Sequence, residues 1–145
     1  MELKKWHEIS AKLEKYLRPE TFPLAIRLIK DEKDIPEKAI RPLRDFKCRL
    51  CVCQGFSYAK KTGKTVAFNF EDNYCIEGAV ALGWVEKPLY MKDGSAIYPR
   101  LVPNKQTAES LEAMKYSIST KEGYKGIVTS PLAVTRIERN LYFSV

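Results

Sequence analysis

Across Pro19 the spacing of apolar residues changes from the period of a helix to that of a strand, which excludes an all-helical or all-strand fold. Before it, Leu3, Trp6, Ile9, Leu13, Tyr16 and Leu17 recur at three- and four-residue steps, while Lys4, Lys5, Lys12 and Lys15 fill the other face. That is an amphipathic helix over residues 3–17, stopped by a proline with no N–H to continue it. After it, Leu24, Ile26 and Leu28 alternate with Ala25 and Arg27, which predicts a strand from about Leu24 to Ile29.

The alternation of periods continues along the chain. Residues 31–47 are charged and carry Pro36 and Pro42, a connecting segment with at most a short helical turn. Residues 51–61 read as a helix, ended by Gly63 in the usual stop position, and residues 65–70 alternate as a strand. Glu71-Asp72-Asn73 supplies turn and cap chemistry for a short helix over 74–82, closed by Gly83. Pro88 and Asp93-Gly94 mark loops, residues 96–102 are expected to hold a short strand, and Asn104 caps a helix running to about Ser117. Residues 124–131 and 137–145 then read as strands. Helices and strands mix without a βαβ rhythm, so the expected fold is α+β: a single domain, 1–145, with a mixed sheet and about four helices. No repeat, low-complexity stretch or long linker divides it.

Composition removes several classes. The chain has 145 residues, 45% hydrophobic and 30% charged, which excludes a disordered, collagenous or coiled-coil chain. No window approaches the roughly 18 apolar residues of a membrane helix, and the first residues lack a signal-peptide core. A cytoplasmic protein with no membrane partner is the expectation. Net charge is +7 and pI about 9.2. Basic residues are nevertheless interleaved with acids, as in Lys30-Asp31-Glu32-Lys33-Asp34, which describes a basic surface better than a nucleic-acid face.

Chemical reach is concentrated in four cysteines: Cys48, Cys51, Cys53 and Cys75. In a reducing compartment they read as thiols, metal ligands or catalytic groups rather than bridges. Four thiolates would satisfy zinc or an iron–sulfur cluster. On a helix, at about 100° per residue, Cys53 would point about 160° away from Cys51, so convergence requires a loop up to residue 52. There is no second CxxC and no His nearby, so the zinc pattern is incomplete. A second reading uses helix starts, where the positive end of the helix favours thiolate at Cys51, Cys53 and Cys75. The plainer alternative packs Cys53 and Cys75 in the core. His7, the only histidine, reads as a helix-surface residue, Asp72 as a cap, and Lys60, Lys61 and Lys64 as a solvated helix end.

Cys53-Gln54-Gly55-Phe56-Ser57-Tyr58-Ala59-Lys60-Lys61-Thr62-Gly63-Lys64-Thr65, then Glu71-Asp72-Asn73-Tyr74-Cys75-Ile76-Glu77-Gly78 and Ala81-Leu82-Gly83-Trp84, resemble the family called domain of unknown function 169 (ArCR). Phe22-Pro23-Leu24-Ala25-Ile26 and Gly126-Ile127-Val128-Thr129-Ser130-Pro131-Leu132 fit the same pattern. The resemblance implies that Cys53 and Cys75 share a site, leaves Cys48 and Cys51 outside the pattern, and implies a longer chain in many members. It assigns no biochemical role.

Two functions follow. In the first, Cys53 and Cys75 approach at two helix starts, with Cys51 as the next ligand. They form a thiol-redox, zinc or iron–sulfur site that Gly55 and Gly78 let the backbone approach closely. In the second, the helix starts with Lys60 and Lys61 bind a small anion and the cysteines only pack. Partners are then a small molecule or a metal, with a homo-oligomer admitted by either.

Overall fold

The computed structural model describes residues 3–114, 123–135 and 141–144, the last stretch as backbone. The chain gathers into two compact units, Met1–Cys75 with Tyr124–Val145, and Ile76–Gly123. No change of composition announces the second unit, which is inserted between two strands of the first.

The first unit is a helix-covered sheet. Helix α1 (Leu3–Leu17) and strand β1 (Leu24–Ile29) occupy the residues their periods predict. Strands β2 (Val66–Asn69), β3 (Gly126–Pro131) and β4 (Leu141–Ser144) complete a sheet of order β2-β3-β1-β4. Its ladders are antiparallel: Leu24 to Ile29 of β1 run opposite Pro131 to Gly126 of β3, and Val66 to Asn69 of β2 opposite Thr129 to Gly126. Among the described residues, parallel pairing, expected of a mixed sheet, is confined to an isolated bridge between Ile40 and Val66 at the β2 edge and another between Leu50 and Asn73. Strands β2 and β3 are buried along their whole length, so they read less clearly as alternating strands than a half-solvated one does. Residues 137–140 and 145, placed in the last expected strand, lie outside the described residues.

Helix α2 (Val52–Thr62) packs on β2 and β3. Val52, Gly55 and Ala59 form its buried side, spaced three and four residues apart. Gly55 is required there: a Cβ at this position would stand 2.1 Å from Cε2 of the Phe68 ring, so the helix sits closer to the sheet than any side chain permits. Gly63 ends the helix at φ 71°, its N–H bonded to the Ala59 carbonyl at 3.0 Å. His7 departs from expectation. It is half-buried, and its Nε2 donates to the Thr135 carbonyl at 3.0 Å, tying α1 to the turn Leu132–Val134 that follows β3.

The second unit holds α3 (Ile76–Ala81), α4 (Leu89–Lys92) and α5 (Lys105–Met114). The strand expected over 96–102 is absent. Those residues form successive turns, with Tyr98 N–H bonded to the Gly94 carbonyl and Leu101 N–H to that of Ile97. Pro99 and Pro103 remove the donors a ladder needs. Asn104 does cap α5, its Oδ1 accepting the Thr107 N–H at 3.0 Å; residues 115–117 of the expected helix lie outside the described residues. Within the unit Lys87 Nζ pairs with Glu112 Oε2 at 3.4 Å, with the Glu112 side chain fully buried. Among the described residues no helix is long and apolar enough to cross a membrane.

The Gly55–Phe68 contact gives a direct test. Gly55→Ala should lower stability by about 1–3 kcal/mol in urea unfolding, and Phe68→Leu in the same chain should recover part of that loss. A Gly55→Ala chain that unfolds at the wild-type midpoint would refute the close approach.

Candidate functional site

The site is assembled on a buried carboxylate. Asp72, 1% exposed, accepts from Arg41 Nε at 2.9 Å and Nη2 at 2.7 Å on one oxygen, and from the Leu43 N–H at 3.2 Å on the other. The Asn69 N–H adds a further bond at 3.2 Å, and the Asp72 N–H returns one to Asn69 Oδ1 at 3.1 Å. A cap for the helix after it, the role expected for Asp72, is therefore not what this residue provides. Its carboxylate is committed to the start of the helical turn at Pro42–Phe46 and to the end of β2, a use that only long-range packing reveals.

The backbone carries the constraint to the cysteines. Leu50 N–H bonds to the Asp72 carbonyl at 3.1 Å, and Tyr74 N–H bonds to the Leu50 carbonyl at 3.3 Å. Cys51 follows Leu50 and Cys75 follows Tyr74, so this pairing sets both cysteine-bearing segments side by side. Asn73 Nδ2 donates to the Cys75 carbonyl at 2.7 Å.

Cys51 is the N-cap of α2, in extended conformation at φ −80° and ψ 153°. Gln54 reaches back, its Oε1 accepting the Cys51 N–H at 2.9 Å, as the third helical residue does in a capping box. The turn between them is enough to bring two cysteines on opposite helical headings together: Cys51 Sγ and Cys53 Sγ are 2.8 Å apart. That is well beyond the 2.03–2.05 Å of a disulfide and inside the contact distance of two sulfur atoms. Cys51 is 8% exposed, whereas Cys53 is exposed. The Cys51 sulfur beside it, aided by desolvation, raises the Cys53 pKa above the ordinary thiol range. Two thiolates at this separation repel, so the pair retains a proton between them as pH rises.

Tyr74 completes the surroundings. Its phenol is exposed, yet its pKa is raised, first by the charge of Cys51, then by desolvation, then by Cys75 and Cys53. Three cysteines therefore act on one phenol. Among the described residues, no group of three or more His, Cys, Asp or Glu side chains is arranged to hold a metal ion.

Along the outer side of α2 runs a shallow groove of about 370 Å³, lined by Cys53, Gln54, Ser57, Tyr58 and Lys61. Tyr58 is braced edge-on by Phe46, ring centroids 5.4 Å apart, from a single π-helical turn at Pro42–Phe46. Of the residues singled out from sequence, Cys51 and Cys53 meet, Cys75 stands by Tyr74, and Lys61 shares a groove with Cys53. Lys60 does not line that groove, Cys48 is exposed in the preceding loop, and Gly78 belongs to the other compact unit. Gly55 faces Phe68, on the sheet side of α2. Sequence reading names Gln54, Ser57, Tyr58 and Tyr74 only within the family pattern and not as site residues, although positions 53, 57 and 61 recur at four-residue steps.

Asp72→Asn should cost about 2–3 kcal/mol, by leaving Arg41 without its charged partner, and should also speed alkylation of Cys51, whose segment hangs on the same hub. Unchanged protection of Cys51 would show that the hub does not position it.

A comparison with curated proteins and another with solved structures each find no match. The family model for domain of unknown function 169, described as uncharacterised ArCR, matches residues 12–141. That span includes α2, all four cysteines and strands β1, β2 and β3, so the chain belongs to the domain of unknown function 169 (ArCR) family.

Proposed function

We propose that Cys51 and Cys53 form a redox-active dithiol that exchanges with disulfide substrates in the cytoplasm. The observation that carries this reading is the 2.8 Å approach of the two sulfurs at the start of α2, one exposed and one buried. A tetrahedral zinc held by both would need the sulfurs about 3.8 Å apart, from Zn–S bonds of about 2.3 Å. Residues two positions apart also stay within about 7 Å along the chain, close to the Cα spacing a disulfide accepts.

The chemistry balances with a disulfide as oxidant. Cys53, the accessible sulfur, loses its proton and attacks one sulfur of the substrate disulfide. A mixed disulfide forms, and the first substrate thiolate leaves and takes up a proton. Cys51 then loses its proton and attacks Cys53 Sγ, closing the Cys51–Cys53 bond and releasing the second substrate thiol. Two electrons and two protons pass from the protein to the substrate, and exchange with an external dithiol reverses the cycle. The Tyr74 phenol lies within the electrostatic reach of both sulfurs and of Cys75.

Trypsin isolates the pair, because cleavage after Arg49 and Lys60 gives a peptide, residues 50–60, holding only these two cysteines. In anaerobic buffers of oxidised and reduced dithiothreitol, this peptide is expected to lose two hydrogens in mass as the buffer becomes oxidising. A peptide that stays reduced while other cysteines cross-link would overturn the reading.

The pH dependence provides an independent check. Alkylation of Cys53 should rise with pH around a midpoint above that of an ordinary thiol, because Cys51 holds its proton in place. Cys51→Ala removes the largest cause and should move that midpoint down, making Cys53 faster to alkylate near neutral pH. An unmoved midpoint would separate the two sulfurs energetically.

A further inference from the structure

We infer that the groove along α2 selects, as substrate of the Cys51–Cys53 pair, a small disulfide carrying an anionic group, and that Lys61 is the residue that determines this specificity. The inference rests on the dithiol reading and adds to it the class of molecule. Its basis is the composition of the groove: Cys53 at one end, then Gln54, Ser57, Tyr58 and Lys61, with no acidic side chain in the lining.

The geometry orders these groups. Cys53, Ser57 and Lys61 follow one another at four-residue steps, so they lie on one side of the helix, and two turns separate the sulfur from the ammonium, about 12 Å along the axis. The polar groups between them can donate. Gln54 spends its Oε1 on the Cys51 N–H, which leaves its NH₂ as donor, and the Ser57 hydroxyl stands one turn further on. Among the described residues no carboxylate lies within ion-pair distance of Lys61, whereas Arg41, Arg44 and Lys33 each have one. Tyr58, held edge-on by Phe46, supplies an apolar wall.

A site with an attacking sulfur at one end, donors along its floor and an unpaired cation at the other is complementary to a molecule with a sulfur–sulfur bond and a terminal anion. A volume of about 370 Å³ suits a small molecule. Lys60 and Lys64 carry the same charge close by in sequence but do not line the groove, which distinguishes a specific contact from the general basicity of the chain.

The test compares two small aromatic disulfides, the doubly anionic dithiobis(nitrobenzoate) and the neutral dithiodipyridine. The readout is the rate at which peptide 50–60 of the whole protein becomes oxidised. Lys61→Gln should lower the anionic-to-neutral rate ratio by about two- to fivefold, and Lys61→Glu should lower it further. Lys64→Gln, an equal change of net charge, should leave it unchanged, and added salt should shrink the wild-type preference but not that of Lys61→Gln. Equal ratios in the wild type, Lys61→Gln and Lys64→Gln would overturn the anionic specificity while leaving the dithiol intact. Failure of both reagents to oxidise peptide 50–60 would instead remove the dithiol reading itself.

Discussion

The Arg41–Asp72 ion pair is the constraint on which the site depends. A carboxylate 1% exposed is costly to bury, and here it is offset by two guanidinium bonds and two backbone N–H groups. Those partners come from the start of a helical turn and from the end of a strand that are separate in sequence. Once they are fixed, Leu50 has a single register against Asp72 and Tyr74, and the cysteines that follow Leu50 and Tyr74 have theirs. The precision of a thiol pair thus derives from an electrostatic anchor that contains no sulfur.

On that anchor, α2 works on two sides at once. Its buried side is cut down to Gly55 so that Phe68 can lie against the backbone, and its outer side carries the groove. Cys51 belongs to neither. As the N-cap residue it leaves the helical path, which lets its sulfur swing toward that of Cys53 instead of pointing about 160° away. The local break from helical geometry is what makes a Cys-x-Cys segment into a pair.

Much of the fold was legible in the amino-acid order, and the reasons are local. The first helix and strand follow from apolar period, Gly63 and Asn104 act as the stop and cap that their types suggest, and the resemblance to the family is borne out over residues 12–141. What stayed hidden depends on partners distant in sequence. Asp72 looks like a cap until Arg41 is brought to it, His7 looks solvated until Thr135 arrives, and the turns at 96–102 look like a strand because apolar residues there outweigh the prolines in a simple count. Within the site, Cys51 and Cys53 were both visible as candidates. Their contact was not, since it depends on one backbone angle at a helix boundary. Gly55 was noticed for its freedom, but the atom it makes room for is a ring carbon of Phe68.

The order of strands in the sheet carries a consequence for how such a chain comes into being. Strand β3 lies between β1 and β2, yet it is made long after both, with the whole of the second unit translated in between. Until residues 126–131 emerge, β1 and β2 have no ladder partner, and the floor on which α2 rests is half built. Contacts this distant along the chain close slowly, and a growing polypeptide with open strand edges and exposed thiols is the kind of intermediate that aggregates or mispairs. Cys51, the buried thiol, is translated before β3, so it leaves the ribosome while the sheet behind α2 still lacks its central strand.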